Sequence, residues 1–242
     1  MNFEIIRNDI TSMKVDAVVL PANSRLKEGS GTSAAIFEKA GRNELERACR
    51  KIGKVNIGDS VPTLGYNLEA KFILHTAVPK WKNGKHQEYE LLSASYLSAL
   101  CLADEMGCAT MAFPLLAAGN NGFDLELAYR IAKESIESYE AKHKLTKVYL
   151  AVYGREVMSM LRNLGITAEE LIDEVYILEK DEEYKLPAQR VLEEGKDIAQ
   201  KFVDDGMKMA LKYLETPNNR KKILEKGANI AALVIAITKK KK

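Results

Sequence analysis

Cysteine, histidine, tryptophan and proline are all scarce in this chain: three, three, one and six residues out of 242. The cysteines, Cys49, Cys101 and Cys108, are odd in number and lack metal-ligand spacing, which argues against a disulfide framework or a zinc site. Cys101 in an apolar helical pattern and Cys108 just before a strand read as reduced, buried thiols. No metal and no cofactor is expected. Of His75, His86 and His143, only His75 ends a strand near the loops discussed below. The N-terminus MNFEIIRNDI has no basic start and no continuous apolar run, so it does not read as a signal peptide. The one lipid-like segment, Ile230 to Ile237, is far short of the ~20 residues a spanning helix needs. A cytoplasmic protein is the expectation. A formal net charge of +2 does not by itself point to a nucleic-acid partner.

What is present is a globular composition, 46% hydrophobic and 29% charged. Residues 2–6, 16–20 (DAVVL), 60–64, 71–76 (KFILHT), 110–113 and 147–153 (KVYLAVY) read as strands. Helices are expected over 33–40, 43–52, 88–106, 155–163, and from an Asp124 cap to about His143. Strands alternating with helices predict an α/β fold, a central sheet covered on both faces. Past residue 165 the pattern changes. Residues 165–185 are acidic, and Val191, Ile198, Phe202, Ala210 and Leu214 recur along an amphipathic helix over 186–214. A further helix is expected over 220–238, before four terminal lysines. Two regions follow: an α/β domain over 1–165 and a helical extension over 166–242.

Two loops stand out at the carboxyl ends of strands, where α/β sheets bind ligands. The first, Glu28-Gly29-Ser30-Gly31-Thr32-Ser33, runs straight into a helix whose free N–H groups and dipole favour an anion. Read alone, it is equally a turn with an ordinary cap. The second, Ala117-Ala118-Gly119-Asn120-Asn121-Gly122, is again built of small and turn residues. Together the two have room for the two phosphates of a dinucleotide-like ligand. Neither has Rossmann or P-loop spacing. Asn23, after the second strand, carries an amide able to donate to and accept from a ribose hydroxyl, or simply to cap a turn. Asp9 has a carboxylate suited to an exocyclic amine, or to a turn.

In order and spacing, five segments resemble the macrodomain family over about residues 1–165. They are Asn8-Asp9-Ile10-Thr11, Val15 to Leu26, Glu28 to Gly41, Leu74 to Trp81, and Ala112 to Phe123. The resemblance implies a three-layer α/β/α fold with a mixed sheet. It implies ADP-ribose, or an ADP-ribosylated macromolecule, as ligand. Asp9 would bind the adenine amine and Asn23 would face the distal ribose. Gly29, Ser30, Gly31, Thr32 and Ser33, with Ala118, Gly119, Asn120, Asn121 and Gly122, would clasp the pyrophosphate, and Ile10, Ala22, Ala117 and Phe123 would be further ligand-binding positions.

The chain also departs from the family pattern. Glu28 and Ser30 replace loop glycines, Leu20 an asparagine, and Asn121 an aromatic. Ser33 stands where MacroD-type hydrolases carry an aspartate, which leaves Asn23 as the catalytic candidate. Three functions remain open at this level: an ADP-ribose reader, a hydrolase of ADP-ribosyl esters or ADP-ribose 1''-phosphate, and a ligand-free scaffold. The scaffold would act by self-association or a protein partner held through residues 186–238.

Overall fold

The computed structural model describes residues 1–173 and 175–177. The expected helices over 186–214 and 220–238, and with them nearly all of the extension, lie outside the described residues. Seven strands form one sheet in the order β3-β4-β2-β5-β6-β1-β7. They are β1 (Asn2–Arg7), β2 (Ala17–Ala22), β3 (Ser60–Leu64), β4 (Phe72–Ala77), β5 (Thr110–Pro114), β6 (Lys147–Val152) and β7 (Glu169–Glu170). All pair in parallel except β3, which runs antiparallel to β4. The sheet is mixed, as expected. β7, just past residue 165, pairs with β1 through Ile6 and Arg7.

Period-two alternation explains the layers. In β2, Ala17 and Val19 face one side, while Val18, Leu20 and Ala22 face the other. The first side packs on α3 (Glu88–Glu105), α4 (Leu125–Glu137) and α5 (Arg155–Asn163). The second packs on α1 (Thr32–Ala40) and α2 (Arg42–Ile52). Both faces of the central strands are apolar because both are covered, as parallel sheets require. This is the three-layer arrangement.

Two expectations are corrected. α4 stops at Glu137, well short of His143. Asp104, near the end of α3, draws the following chain into a loop. Its buried carboxylate accepts the backbone N–H groups of Lys142, His143, Lys144 and Leu145 at 2.6–3.2 Å. Cys101 is exposed, on the outer face of α3 with its thiol 3.3 Å from Glu105; Cys49 and Cys108 are buried, and all three are free thiols.

A second buried carboxylate does similar work beside the cleft. Glu88 accepts from the backbone N–H groups of Lys82, Asn83, Gly84 and His86, fixing the loop that precedes α3. Burial alone would raise both acids. The converging N–H groups outweigh it and hold each at about 2. A depressed folded-state value stabilises above the ordinary values of 4.5 and 3.8, and that contribution is lost as pH falls toward 2. Acid titration followed by circular dichroism should therefore show stability falling between about pH 5 and pH 2. Glu88→Gln should flatten the upper part of that fall; an unchanged profile would mean the acid sensitivity arises elsewhere.

Candidate binding cleft

A cavity of about 750 Å³ opens at the carboxyl ends of β2 and β5, within the range of small-molecule sites. Its walls are the two loops singled out by sequence, with apolar patches from Ile57, Val78, Leu91 and Leu115.

The first wall begins at Asn23. Its side-chain oxygen accepts from the backbone N–H groups of Arg25 and Lys27, at 3.1 and 3.2 Å, and its amide donates to the Lys27 carbonyl at 2.6 Å. An amide nitrogen carries two hydrogens, so Asn23 can still donate once to a ligand. It has little capacity left to accept. Gly31 precedes α1 at φ 59° and ψ −131°, a conformation side-chain-bearing residues avoid. The chain there turns so that the N-terminus of α1 faces the cavity, which Gly31, Thr32 and Ser33 line. Ser33 is buried and its hydroxyl accepts the Gly29 N–H at 3.0 Å, so it braces the glycine loop.

Glu28 does not set a bare charge beside the loop. Its carboxylate takes Arg42 in a two-point pair at 2.8 and 2.9 Å, and Arg42 also meets Glu38 at 2.9 Å.

The second wall is hung from the core. The buried Tyr96 hydroxyl accepts the backbone N–H of Leu116 at 2.9 Å. Ala117 follows at φ 63°, a left-handed conformation rare outside glycine. Asn121 ties this loop to its neighbour: its amide donates to the Pro79 carbonyl and its own carbonyl accepts from Trp81 N–H, at 3.1 and 2.8 Å. Across the cleft, the Asn120 amide donates to the Ser30 hydroxyl. The two loops thus touch over the cavity.

Of the sequence-selected residues, Ala22, Asn23, residues 29–33, Ala117 and residues 119–121 line the cavity. Ala118, Gly122 and Phe123 belong to the same loop but not to its lining; Phe123 is buried, its ring 5.1 Å from Trp81. Asp9 and Ile10 are buried outside the lining. One Asp9 oxygen accepts from Thr11 N–H and hydroxyl, at 2.9 and 2.7 Å. The other accepts the Tyr176 hydroxyl at 2.9 Å.

Sequence reasoning missed Tyr176, because it lies past residue 165 and nothing local links it to Asp9. It missed Tyr96 and Glu88 too, whose roles depend on backbone groups brought together by the fold. His75 is corrected: it is fully buried, 2.9 Å from the Thr63 hydroxyl, and does not line the cavity. Burial pushes it down to about 4, so it is neutral near pH 7 and sits too deep for acid–base work.

Known proteins match the chain in family and in fold. The Macro domain family model matches residues 19–132. A macro domain-containing protein of Chlorobaculum tepidum is 42% identical over 139 residues, covering 57% of this chain and 80% of that protein. An O-acetyl-ADP-ribose deacetylase of Escherichia fergusonii is 36% identical over 157 residues, covering 63% and 88%. Among solved structures, the Trypanosoma brucei macrodomain in complex with ADP-ribose superposes with a TM-score of 0.59 at 27% identity, covering 67% of this chain and 68% of that one. The chain belongs to the macro domain family. Among the described residues no helix is long and apolar enough to cross a membrane.

Proposed function

We propose that this protein binds ADP-ribose, free or attached to a macromolecule, in the cleft between the two loops. The observation that carries this is the cavity itself: roofed by Ser30 and Asn120, floored by apolar side chains, and faced by the N-terminus of α1. Backbone N–H groups at a helix start hold phosphate oxygens without a lysine. Asn23 stands for the distal ribose; Asp9, buried outside the lining, would take the adenine amine only where the Tyr176 hydroxyl gives up its oxygen. Isothermal titration with ADP-ribose beside AMP and NAD tests the reading. Selective heat with ADP-ribose is expected; no heat with any of the three would overturn it.

Hydrolysis is the second reading, favoured by the name of the Escherichia fergusonii relative, which cleaves an ADP-ribose ester. Here Asn23 would position the distal ribose. Ser33 is engaged with Gly29 and His75 is buried away from the cleft, so neither is placed as a base. Ester cleavage would then rest on ligand positioning and on a phosphate group of the ligand.

Arg42 neutralises Glu28 beside the phosphate loop. Arg42→Gln should weaken ADP-ribose binding about tenfold, the size of a few charge interactions at partly exposed distances. Adding Glu28→Gln should restore most of it. Calorimetry of the single and double variants decides: equal affinities throughout would mean Glu28 is not sensed by the ligand.

A further inference from the structure

Asp9 is 3% exposed and lies outside the lining of the cavity. Its two oxygens meet different parts of the chain. One accepts the Thr11 N–H and hydroxyl, and so caps the short turn Ile10–Ser12. That role is local and uses a single oxygen. The other oxygen accepts the Tyr176 hydroxyl at 2.9 Å, a donor brought from 167 residues away.

The segment that delivers Tyr176 is fastened to the strand just before Asp9. Glu169 and Glu170 pair with Ile6 and Arg7, and the Leu171 N–H donates to the Arg7 carbonyl at 2.9 Å. The Glu170 carboxylate meets the buried Arg7 guanidinium at 2.9 Å and Arg162 at 3.2 Å. The Asp173 side chain then accepts the Tyr176 N–H at 2.9 Å, and Ile177 beyond it is buried. Backbone pairing, ion pairs, a cap and an apolar anchor together fix where the hydroxyl falls.

A phenol and an exocyclic amine are both donors to a carboxylate. With so little of Asp9 exposed, a second donor has almost no open face by which to approach. A ligand amine must therefore replace the hydroxyl, which exchanges one charge-assisted hydrogen bond for another and gains little. We infer that Tyr176 sets the base selectivity of this protein: its hydroxyl holds the Asp9 oxygen that an exocyclic amine would take, and so cancels most of the preference for an amino-bearing base. This rests on the cleft's being an ADP-ribose site with the base at Asp9.

The test is calorimetry on the full chain with two ligands. One is ADP-ribose; the other is its analogue carrying purine in place of adenine, which lacks only the exocyclic amine. The parent should separate them by less than about threefold, because amine and hydroxyl trade places. Tyr176→Phe keeps the ring and removes the competing donor. It should bind ADP-ribose about tenfold more tightly than the parent, the size of one hydrogen bond to a charged group. Its affinity for the purine analogue should stay within about twofold of the parent's. A thermal melt on the same samples gives a second reading. Without ligand the variant should melt below the parent, because Asp9 has lost a donor, and saturating ADP-ribose should close more of that gap than the analogue does. The inference is overturned if Tyr176→Phe gains no affinity for ADP-ribose, loses it, or gains equally for both ligands. A parent that already prefers ADP-ribose by about tenfold or more would overturn it too, since the amine would then reach Asp9 past the tyrosine. If neither ligand binds either protein, the assignment of the cleft itself falls.

Discussion

Gly119→Glu should lower ADP-ribose affinity at least about 100-fold and leave the melting temperature within roughly 2 °C. Gly119 lines the cavity, and a Cβ built on it meets no atom within 4 Å. A side chain there extends into open space, so the fold has nothing to rearrange. Glutamate places both bulk and negative charge where the pyrophosphate would lie, against the N–H groups the phosphates would use. Gly119→Ala, with one carbon and no charge, should cost far less. Calorimetry with a thermal melt on the same samples reads both halves of the prediction. If the glutamate variant binds within threefold of the parent, the phosphates do not pass this loop.

Tyr96→Ala should destabilise the protein by roughly 3–5 kcal/mol, the range for removing a buried aromatic ring. Tyr96 is fully buried between the sheet and α3, its ring 5.0 Å from Phe113. A loss of that size is a large part of the total stability of a typical domain. Tyr96→Phe separates packing from positioning. The ring stays, but Leu116 N–H loses its acceptor in a buried place, at about 1–3 kcal/mol. Because that bond suspends the loop from residue 115 onward, the phenylalanine variant should also bind ADP-ribose more weakly than its modest loss of stability explains. Denaturant unfolding and calorimetry on both variants check this. A phenylalanine variant with parental affinity would show that the loop holds its shape through Asn121 and Ser30 alone.

The parts of this molecule legible in sequence are those set by neighbours along the chain. The unbroken apolar run of Val18, Val19 and Leu20 reported a buried strand. Asp124 was readable as a cap because its partner, the Leu127 N–H, is three residues away. The two loops that wall the cleft announced themselves by small residues after strands, and family resemblance supplied the expected roles that composition cannot. What escaped depends on long-range encounters. α4 keeps its apolar rhythm toward Tyr139, yet Asp104, 38 residues before Lys142, pulls the chain out of the helix. Glu28 reads in sequence only as a replaced loop glycine, whereas in the fold Arg42 holds its carboxylate, a pairing 14 residues apart with no motif to mark it. Tyr176 meets Asp9 across 167 residues. Cys101 was misplaced because helical spacing marks an apolar face without saying how far round the helix the cover extends.

The position of β1 has a consequence for synthesis. β1 (Asn2–Arg7) takes its place beside Lys147–Val152, made about 140 residues later, with Glu169–Glu170 on its other side. At translation rates of about 5–20 residues per second, it waits on the order of 10–30 s for that partner to be made. During that interval an apolar ribbon containing Ile5 and Ile6 trails the nascent chain with its hydrogen-bonding edges open. Growing polypeptides on neighbouring ribosomes offer the same kind of edge. The sheet order therefore leaves β1 unsheltered while most of the domain is made, and ties successful production of the domain to holding that ribbon apart from its twins until β6 is made.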